Sequence, residues 1–351
     1  MSFNPNRPIS GLGSVEGWKN LPIHECGESL VPLGSFSEYP MIATDSIYVG
    51  ERNSSPYPTM KLDGALFTVF VREGVAKRLK QAALLLPPRH MLFVWDAYRP
   101  QAVQQALFDS YVGKLVGDGT PRELAQEDAQ QFVSIPSDDP TRPPPHNTGG
   151  AVDLTIIRFS AEDWERMEKL TQIVMQTETP DNWQAIYRAE MERLQIIRTR
   201  SMPILMGTVF DGVQDETLTL HFENIDEADL SDEAAVAREN RRLLWNVMVE
   251  SGFSNYPDEW WHFDFGNQFD AARTGREAIY AAAVFSQENQ TWETMRHGHY
   301  EGSVSMAQGT YRAPQNKLGM PVTSSLIKFV TGVTAQTGNL RQTQHPQAAA
   351  F

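Results

Sequence analysis

The stretch His146-Asn147-Thr148-Gly149-Gly150-Ala151-Val152-Asp153, continuing into Leu154-Thr155-Ile156-Ile157, sets the frame for the chain. Paired glycines permit a tight turn, since glycine alone adopts unusual backbone angles at little steric cost. Ala151 to Ile157, rich in apolar and β-branched residues, reads as a strand. Pro143-Pro144-Pro145 just upstream makes a stiff extended lead-in. His146 and Asp153 therefore flank a glycine turn, and a turn followed by a strand can bring both side chains to one point.

Working outward, Met91-Leu92-Phe93-Val94-Trp95 is a short continuous apolar run, the pattern of a buried strand. It delivers Asp96-Ala97-Tyr98-Arg99-Pro100, and Pro100 can open a helix from Gln101 to about Leu115. Before it, apolar residues at helical spacing predict a helix from Ala65 to Leu86, closed by Pro87-Pro88. Residues 1–60 read as an irregular arm with short strands, and 116–140 as a loop with one helical turn. Downstream, Ser160-Ala161-Glu162-Asp163 has the form of a helix start. Residues 160–198 then form a helical hairpin whose many charges fit a solvated outer face. Met206 to Asp211 reads as a short lining segment. Ala234 to about Ser251 reads as a helix capped by Gly252, Asp258 to Phe265 as an aromatic strand, and Ala271 to Phe285 as a helix. The composition of Thr337 to Phe351 is that of a disordered tail.

A second stretch, Glu259-Trp260-Trp261-His262, completes a chemical inventory with the first. Imidazole and carboxylate are zinc ligands, and three protein ligands leave the fourth position for water. His146, Asp153 and His262 would be the three ligands of one zinc per chain, with Glu259 as the base beside the water. On a regular strand Glu259 and His262 would face opposite sides, so this role requires a bulge or turn at Trp260-Trp261. Arg99 ends a buried strand and cannot lose its charge. It could stabilise an oxyanion, or simply pair with Asp96. Each signal alone is weak, because a lone histidine is more often a hydrogen-bonded structural residue than a ligand. The glycine turn between His146 and Asp153, together with the downstream Glu-x-x-His, is far less expected by accident. His297-Gly298-His299 lacks an acid at matching spacing, and His24, His90 and His221 read as structural. Gly-x-Ser-x-Gly is absent, and no glycine-rich phosphate loop precedes a helix.

The totals narrow the partners. A net charge of -14 over 351 residues repels nucleic acid and anionic lipid. The single cysteine, Cys26, excludes an intrachain disulfide and a thiolate-rich metal site. Met1 to Asn20 has no apolar run of signal length, and no run anywhere is long enough to span a membrane. A cytoplasmic location is the expectation.

The motifs fall in a familiar order: Asp96-Ala97-Tyr98-Arg99-Pro100, His146-x-x-Gly149-x-Ala151-x-Asp153, Met206-Gly207-Thr208-x-Phe210-Asp211, Asn240-Arg241-Arg242-Leu243-Leu244, Gly252-Phe253 and Glu259-Trp260-Trp261-His262. From about Thr44 to Gly266 the chain resembles the D-alanyl-D-alanine dipeptidases, the zinc D,D-dipeptidase family that includes the vancomycin-resistance enzyme. The resemblance implies an α+β fold with a central, mainly antiparallel sheet flanked by helices. It implies a catalytic domain over 1–266, with the 160–198 hairpin inserted and 267–351 as a C-terminal extension. It also implies zinc on His146, Asp153 and His262, Glu259 as general base and acid, and Arg99 as transition-state stabiliser. The substrate would be a free D,D-dipeptide in a small closed pocket. Family members commonly hold substrate with a serine two residues before the first histidine; this chain has Pro144 there. The hairpin and the extension could reshape the pocket mouth or make an oligomer contact. A related zinc carboxypeptidase or amidase acting on a longer peptidoglycan-type or small tailoring peptide is the second reading. A metal-stabilised binding protein is the third, and it has no use for Glu259 and Arg99.

Overall fold

The computed structural model describes residues 3–49, 62, 64–130, 133–137 and 139–295. In chain order its elements are β1 (Leu30–Pro32), β2 (Ile42–Thr44), β3 (Phe70–Arg72), α1 (Glu73–Leu85), β4 (His90–Asp96), α2 (Gln101–Gly117), α3 (Arg122–Ala129), β5 (Ala151–Arg158), α4 (Ala161–Val174), α5 (Trp183–Arg200), β6 (Met202–Pro203), α6 (Asp232–Glu250), β7 (Ser254–Asn255), β8 (His262–Asp264) and α7 (Gln268–Thr274). Short 3-10 turns connect several of them. The strand anticipated at Ala151 is β5, and it lies in the middle of the main sheet.

That sheet runs β2-β4-β5-β8-β7, with β6 pairing the far end of β5. β4–β5, β5–β6, β5–β8 and β7–β8 are antiparallel. β2 runs parallel to β4, so the sheet is mixed. β1 and β3 form a separate antiparallel ladder.

Alternation along the strands sorts the core into two layers. Val152, Leu154 and Ile156 of β5, with Leu92 and Val94 of β4, pack in one cluster with Val75 and Leu79 of α1 and Leu244, Val247 and Met248 of α6. Met91 and Ile157 point the other way, into Met167 and Leu170 of α4 and Ala189, Ile196 and Ile197 of α5. Both faces are covered, which is why these strands read as continuous apolar runs. Each such buried side chain is worth roughly 1.5–3 kcal/mol. The hairpin therefore covers the second face at the Met91–Ile157 end of the sheet.

Most of its charges do lie outside, paired as Arg166–Glu192, Lys169–Glu165 and Arg200–Asp163. Glu190 and Arg193 depart from the solvated face expected of this segment, since both are buried. Arg193 Nη1 donates to Glu190 Oε2 (3.0 Å) and Nη2 to Pro40 O (2.7 Å). Glu190 Oε1 accepts from Phe36 N at 3.1 Å. The pair fastens α5 to the segment before β2, and its partners offset much of the cost of burying the two charges, although Arg193 Nε is left without one.

Other boundaries moved where tertiary pairing outweighed local pattern. The helix expected from Ala65 starts at Glu73, because Phe70–Arg72 pairs with Leu30–Pro32 as a strand. The loop expected over 116–140 contains α3. The helix expected from Ala271 to Phe285 is the shorter α7, ended by Gly275 at φ 73°. Beyond it the chain is tied back by Ile279 N and Tyr280 N, which both donate to Gly266 O (2.7 and 2.9 Å). Residues 287–295 are helical. The His297/His299 pair, the expected disordered tail and part of the N-terminal arm lie outside the described residues. No helix among the described residues is long and apolar enough to cross a membrane.

Breaking the Glu190–Arg193 pair tests the hairpin's place in the core. Glu190→Ala strands a buried guanidinium and should lower the urea-unfolding free energy by about 3–5 kcal/mol. Glu190→Leu combined with Arg193→Met should recover most of that loss. A Glu190→Ala protein as stable as the parent would show that the pair contributes nothing.

Candidate metal centre

Register builds the centre. Asp96 on β4 lies opposite Asp153 on β5, and Asp153 lies opposite His262 on β8. Residues opposite one another on antiparallel strands project to the same face. The three side chains thus form one row across the sheet. An irregularity between Val94 and Asp96 shifts the β4 register and brings Asp96 into line.

His146 enters from the turn before β5. Pro145–Thr148 forms a 3-10 turn, and Gly149 follows at φ 69°. A Cβ on Gly149 would sit 2.7 Å from Leu30 Cδ2, and one on Gly150 would sit 2.7 Å from Phe265 O. Both positions therefore require glycine. Thr148 Oγ1 donates to Pro145 O (2.6 Å) and accepts from Gly150 N (2.9 Å). Arg99 N donates to His146 O (3.1 Å), and Asn147 Nδ2 donates to Arg99 O (2.5 Å). The His146 turn and the Arg99 loop are thus stitched together.

The three residues singled out as ligands converge. His146, Asp153 and His262 are buried, and each offers a ligand atom within 4.8 Å of the others. His146 Nε2 is 3.4 Å from Asp153 Oδ2, and His262 Nδ1 is 2.9 Å from Asp153 Oδ1. The rings meet edge to face at 5.0 Å. His146 Nδ1 lies 2.9 Å from Ala97 O, which assigns the proton to Nδ1 and leaves the Nε2 lone pair toward Asp153. His262 is turned the other way. Its Nδ1 faces Asp153, and its Nε2 lies 3.0 Å from Asp264 Oδ2. The latter is an ion contact off the hydrogen-bond direction. A carboxylate behind an imidazole whose other nitrogen faces the centre is the usual support for a metal-binding histidine. Two imidazoles and one carboxylate, each offering a ligand atom, fit a divalent ion such as zinc.

Glu259 sits in a turn, as its proposed role required. The strand begins only at His262, and His262 N donates back to Glu259 O (3.3 Å). Glu259 Oε2 thereby reaches 3.7 Å from His262 Nδ1. Burial, reinforced by Asp153 and Asp211, pushes its carboxyl up to about 8, against the pull of His262 and Arg99. About a third of the side chain (34 %) faces the cavity, so water there moderates the effect.

Arg99 pairs with Asp96, the simpler of its two readings. Nε and Nη2 donate to Asp96 Oδ2 (3.1 and 2.5 Å), and Nη1 donates to Gln104 Oε1 (2.8 Å). Its side chain also lines the central cavity. Asp96 accepts from Tyr48 OH as well (2.5 Å) and lies 3.6 Å from His146 Nδ1. Burial alone would raise the Asp96 carboxyl, but Arg99, His146 and Tyr48 outweigh it and hold it below its usual range. Burial favours the neutral form of His146. For His262 the same burial is outweighed by Asp264 and Asp153, which raise it well above an ordinary imidazole.

A cavity of about 320 Å³ opens over this row. Sequence reasoning missed several of its residues. Tyr256 faces it, as does Phe269 from α7, and Lys19 arrives from the N-terminal arm, whereas Asp211 belongs to the segment already read as a lining one. Asp264 was legible in principle, two residues after His262 and hence on the same strand face. Lys19 and Phe269 carried no local signal. The histidines read as structural lie elsewhere: His24 pairs with Glu277, His90 Nδ1 lies near Pro88 O, and His221 packs on Phe222. Cys26 is exposed.

Comparison with known proteins gives two matches. Residues 187–282 match the family model described as D-ala-D-ala dipeptidase. A D-alanyl-D-alanine dipeptidase of Synechocystis sp. is 29 % identical over 267 residues, which cover 71 % of this chain and 86 % of that protein. Over residues 187–282 the chain is thus similar to the D-alanyl-D-alanine dipeptidases, and the matched stretch spans the Glu259–His262 half of the centre.

Proposed function

We propose that the chain is a zinc-dependent dipeptidase that hydrolyses D-alanyl-D-alanine or a related D,D-dipeptide. The observation that carries this reading is the meeting of His146, Asp153 and His262 beside Glu259 on one small cavity. Zinc bound there would lower the pKa of a bound water to about 7 and polarise a carbonyl. Glu259 takes the proton of the attacking water and returns it to the leaving amine. Its raised pKa suits both halves of that exchange, and its place in a turn lets it reach the water. Arg99, fixed by Asp96 and Gln104, offers a permanent positive charge for the oxygen that becomes negative in the transition state. Asp211 matches a substrate ammonium group, and Lys19 at the mouth matches a free carboxylate. A volume near 320 Å³ is at the lower end for small-molecule pockets, which favours a short substrate.

Pro144, standing where relatives commonly have a serine, supports the second reading, a related carboxypeptidase or amidase acting on a longer peptide. D,D-, L,D- and L,L-dipeptides and one tripeptide, assayed with zinc, after chelation and after zinc is restored, separate the two. Turnover of the D,D-dipeptide that disappears on chelation and returns with zinc is expected. Preference for the tripeptide would favour the second reading, and full activity after chelation would remove both.

Glu259→Ala should keep its zinc and lose about 10²- to 10⁴-fold in kcat. Loss of bound zinc would instead make Glu259 a ligand.

The raised pKa of Glu259 also predicts a pH dependence. The folded metal-free protein keeps a proton there that the unfolded chain releases near pH 4.5. This contribution to stability is complete below pH 4.5 and is lost as pH rises toward about 8. The urea midpoint of metal-free protein should fall across that window, with a shallower fall in Glu259→Gln. Identical slopes would show that the carboxyl titrates normally.

A further inference from the structure

Asp264 and Arg273 lie behind the centre, and the catalytic reading makes no use of either. Asp264 is fully buried, 0 % exposed. It accepts hydrogen bonds from Arg273 Nη2 and Asn267 Nδ2, and its Oδ2 touches His262 Nε2 at 3.0 Å. Arg273 is buried too, and its Nη2 also donates to Ser254 Oγ (3.0 Å) on β7, the strand next to β8. α7, which carries Arg273, is itself fixed. Asn267 caps its start by accepting from Asp270 N (2.9 Å). Asp270 accepts from Ser254 Oγ (2.7 Å) and Gly266 N (2.9 Å).

From this chain of contacts we infer that Arg273, acting through Asp264, is a positioning residue for the metal centre. Together they hold the His262 ring with Nδ1 toward Asp153, so that Nδ1 is its ligand atom. The inference rests on the metal reading of the centre.

The physical need is specific. An imidazole rotated by half a turn would present carbon where the ligand nitrogen belongs. A buried carboxylate beside it fixes the ring only if the carboxylate cannot rotate. A carboxylate held by a guanidinium and an amide has no such freedom. The same guanidinium supplies the cation that keeps Asp264 charged in the interior, where an unpaired charge is costly. Arg273 belongs to the segment after Gly266, so that segment reaches the metal through two side chains.

The test is zinc affinity of the purified full chain, measured by competition with a chromogenic chelator. Arg273→Met and Asp264→Asn should each bind zinc about 10- to 100-fold more weakly. Arg276→Ala, which removes a contact to Asp270 in the same segment without touching Asp264, should bind zinc as the parent does. Arg273→Lys keeps the charge but not the fork, and should give an intermediate loss while still unfolding cooperatively in urea. Unchanged affinity in Arg273→Lys and Asp264→Asn would overturn the inference, as would an equal loss in Arg276→Ala. A parent chain that binds no zinc at all would instead remove the metal reading itself.

Discussion

The antiparallel pairing of β5 with β4 on one side and β8 on the other is the constraint on which the centre depends. It sets Asp96, Asp153 and His262 in one row, although they are far apart in sequence. Side chains alternate along a strand, so a slip of one residue would turn Asp153 into the apolar core and bring Val152 or Leu154 toward the cavity. The core forbids that slip. Val152, Leu154 and Ile156 are wholly buried among α1 and α6 side chains. Hydrophobic burial, which is not directional, thereby fixes the position of a site whose chemistry is directional.

Charge sorts the acids of the centre into roles. Asp96 and Asp264 are each clasped by a guanidinium, from Arg99 and Arg273 respectively, and both are held below the usual carboxylate range despite complete burial. Each stands behind a histidine, Asp96 near His146 and Asp264 against His262. Glu259 differs. Its close cationic neighbour is the His262 imidazole, and burial lifts it toward neutrality. A common residue chemistry is thus divided between anchors that stay charged and a group suited to move protons.

Two segments that looked peripheral are tied to this arrangement. The helical hairpin covers the second face of the sheet and is pinned by a buried ion pair to the segment before β2. The chain after Gly266 lends Phe269 to the cavity wall, and Tyr280 is buried with its hydroxyl donating to Glu28 Oε2 at 2.7 Å. Such packing gives the centre a rigid frame, which the proposed catalytic role would need.

Much of the site could be read from the residues alone. The paired glycines, the apolar run after them and the two tryptophans between Glu259 and His262 carry local backbone information. From them follow the turn at His146 and the strand bearing Asp153, whereas the bend that frees Glu259 was required by its role and runs against the strand pattern of the aromatic residues around it. The resemblance placed these motifs in one family, and the convergence of His146, Asp153 and His262 agrees with it. What the residues could not disclose was long-range. Pairing of Phe70–Arg72 with Leu30–Pro32 overrode a helical pattern, because apolar residues at 66, 69 and 70 suit either state until a partner strand arrives. The burial of Glu190 and Arg193, the orientation of His262 and the reach of Lys19, Phe269 and Arg273 depend on neighbours hundreds of positions away or on other strands. Local sequence determines which backbone shapes are cheap. Only the closed fold determines which side chains share a cavity, because that is a matter of contact across the sheet and not of spacing along the chain.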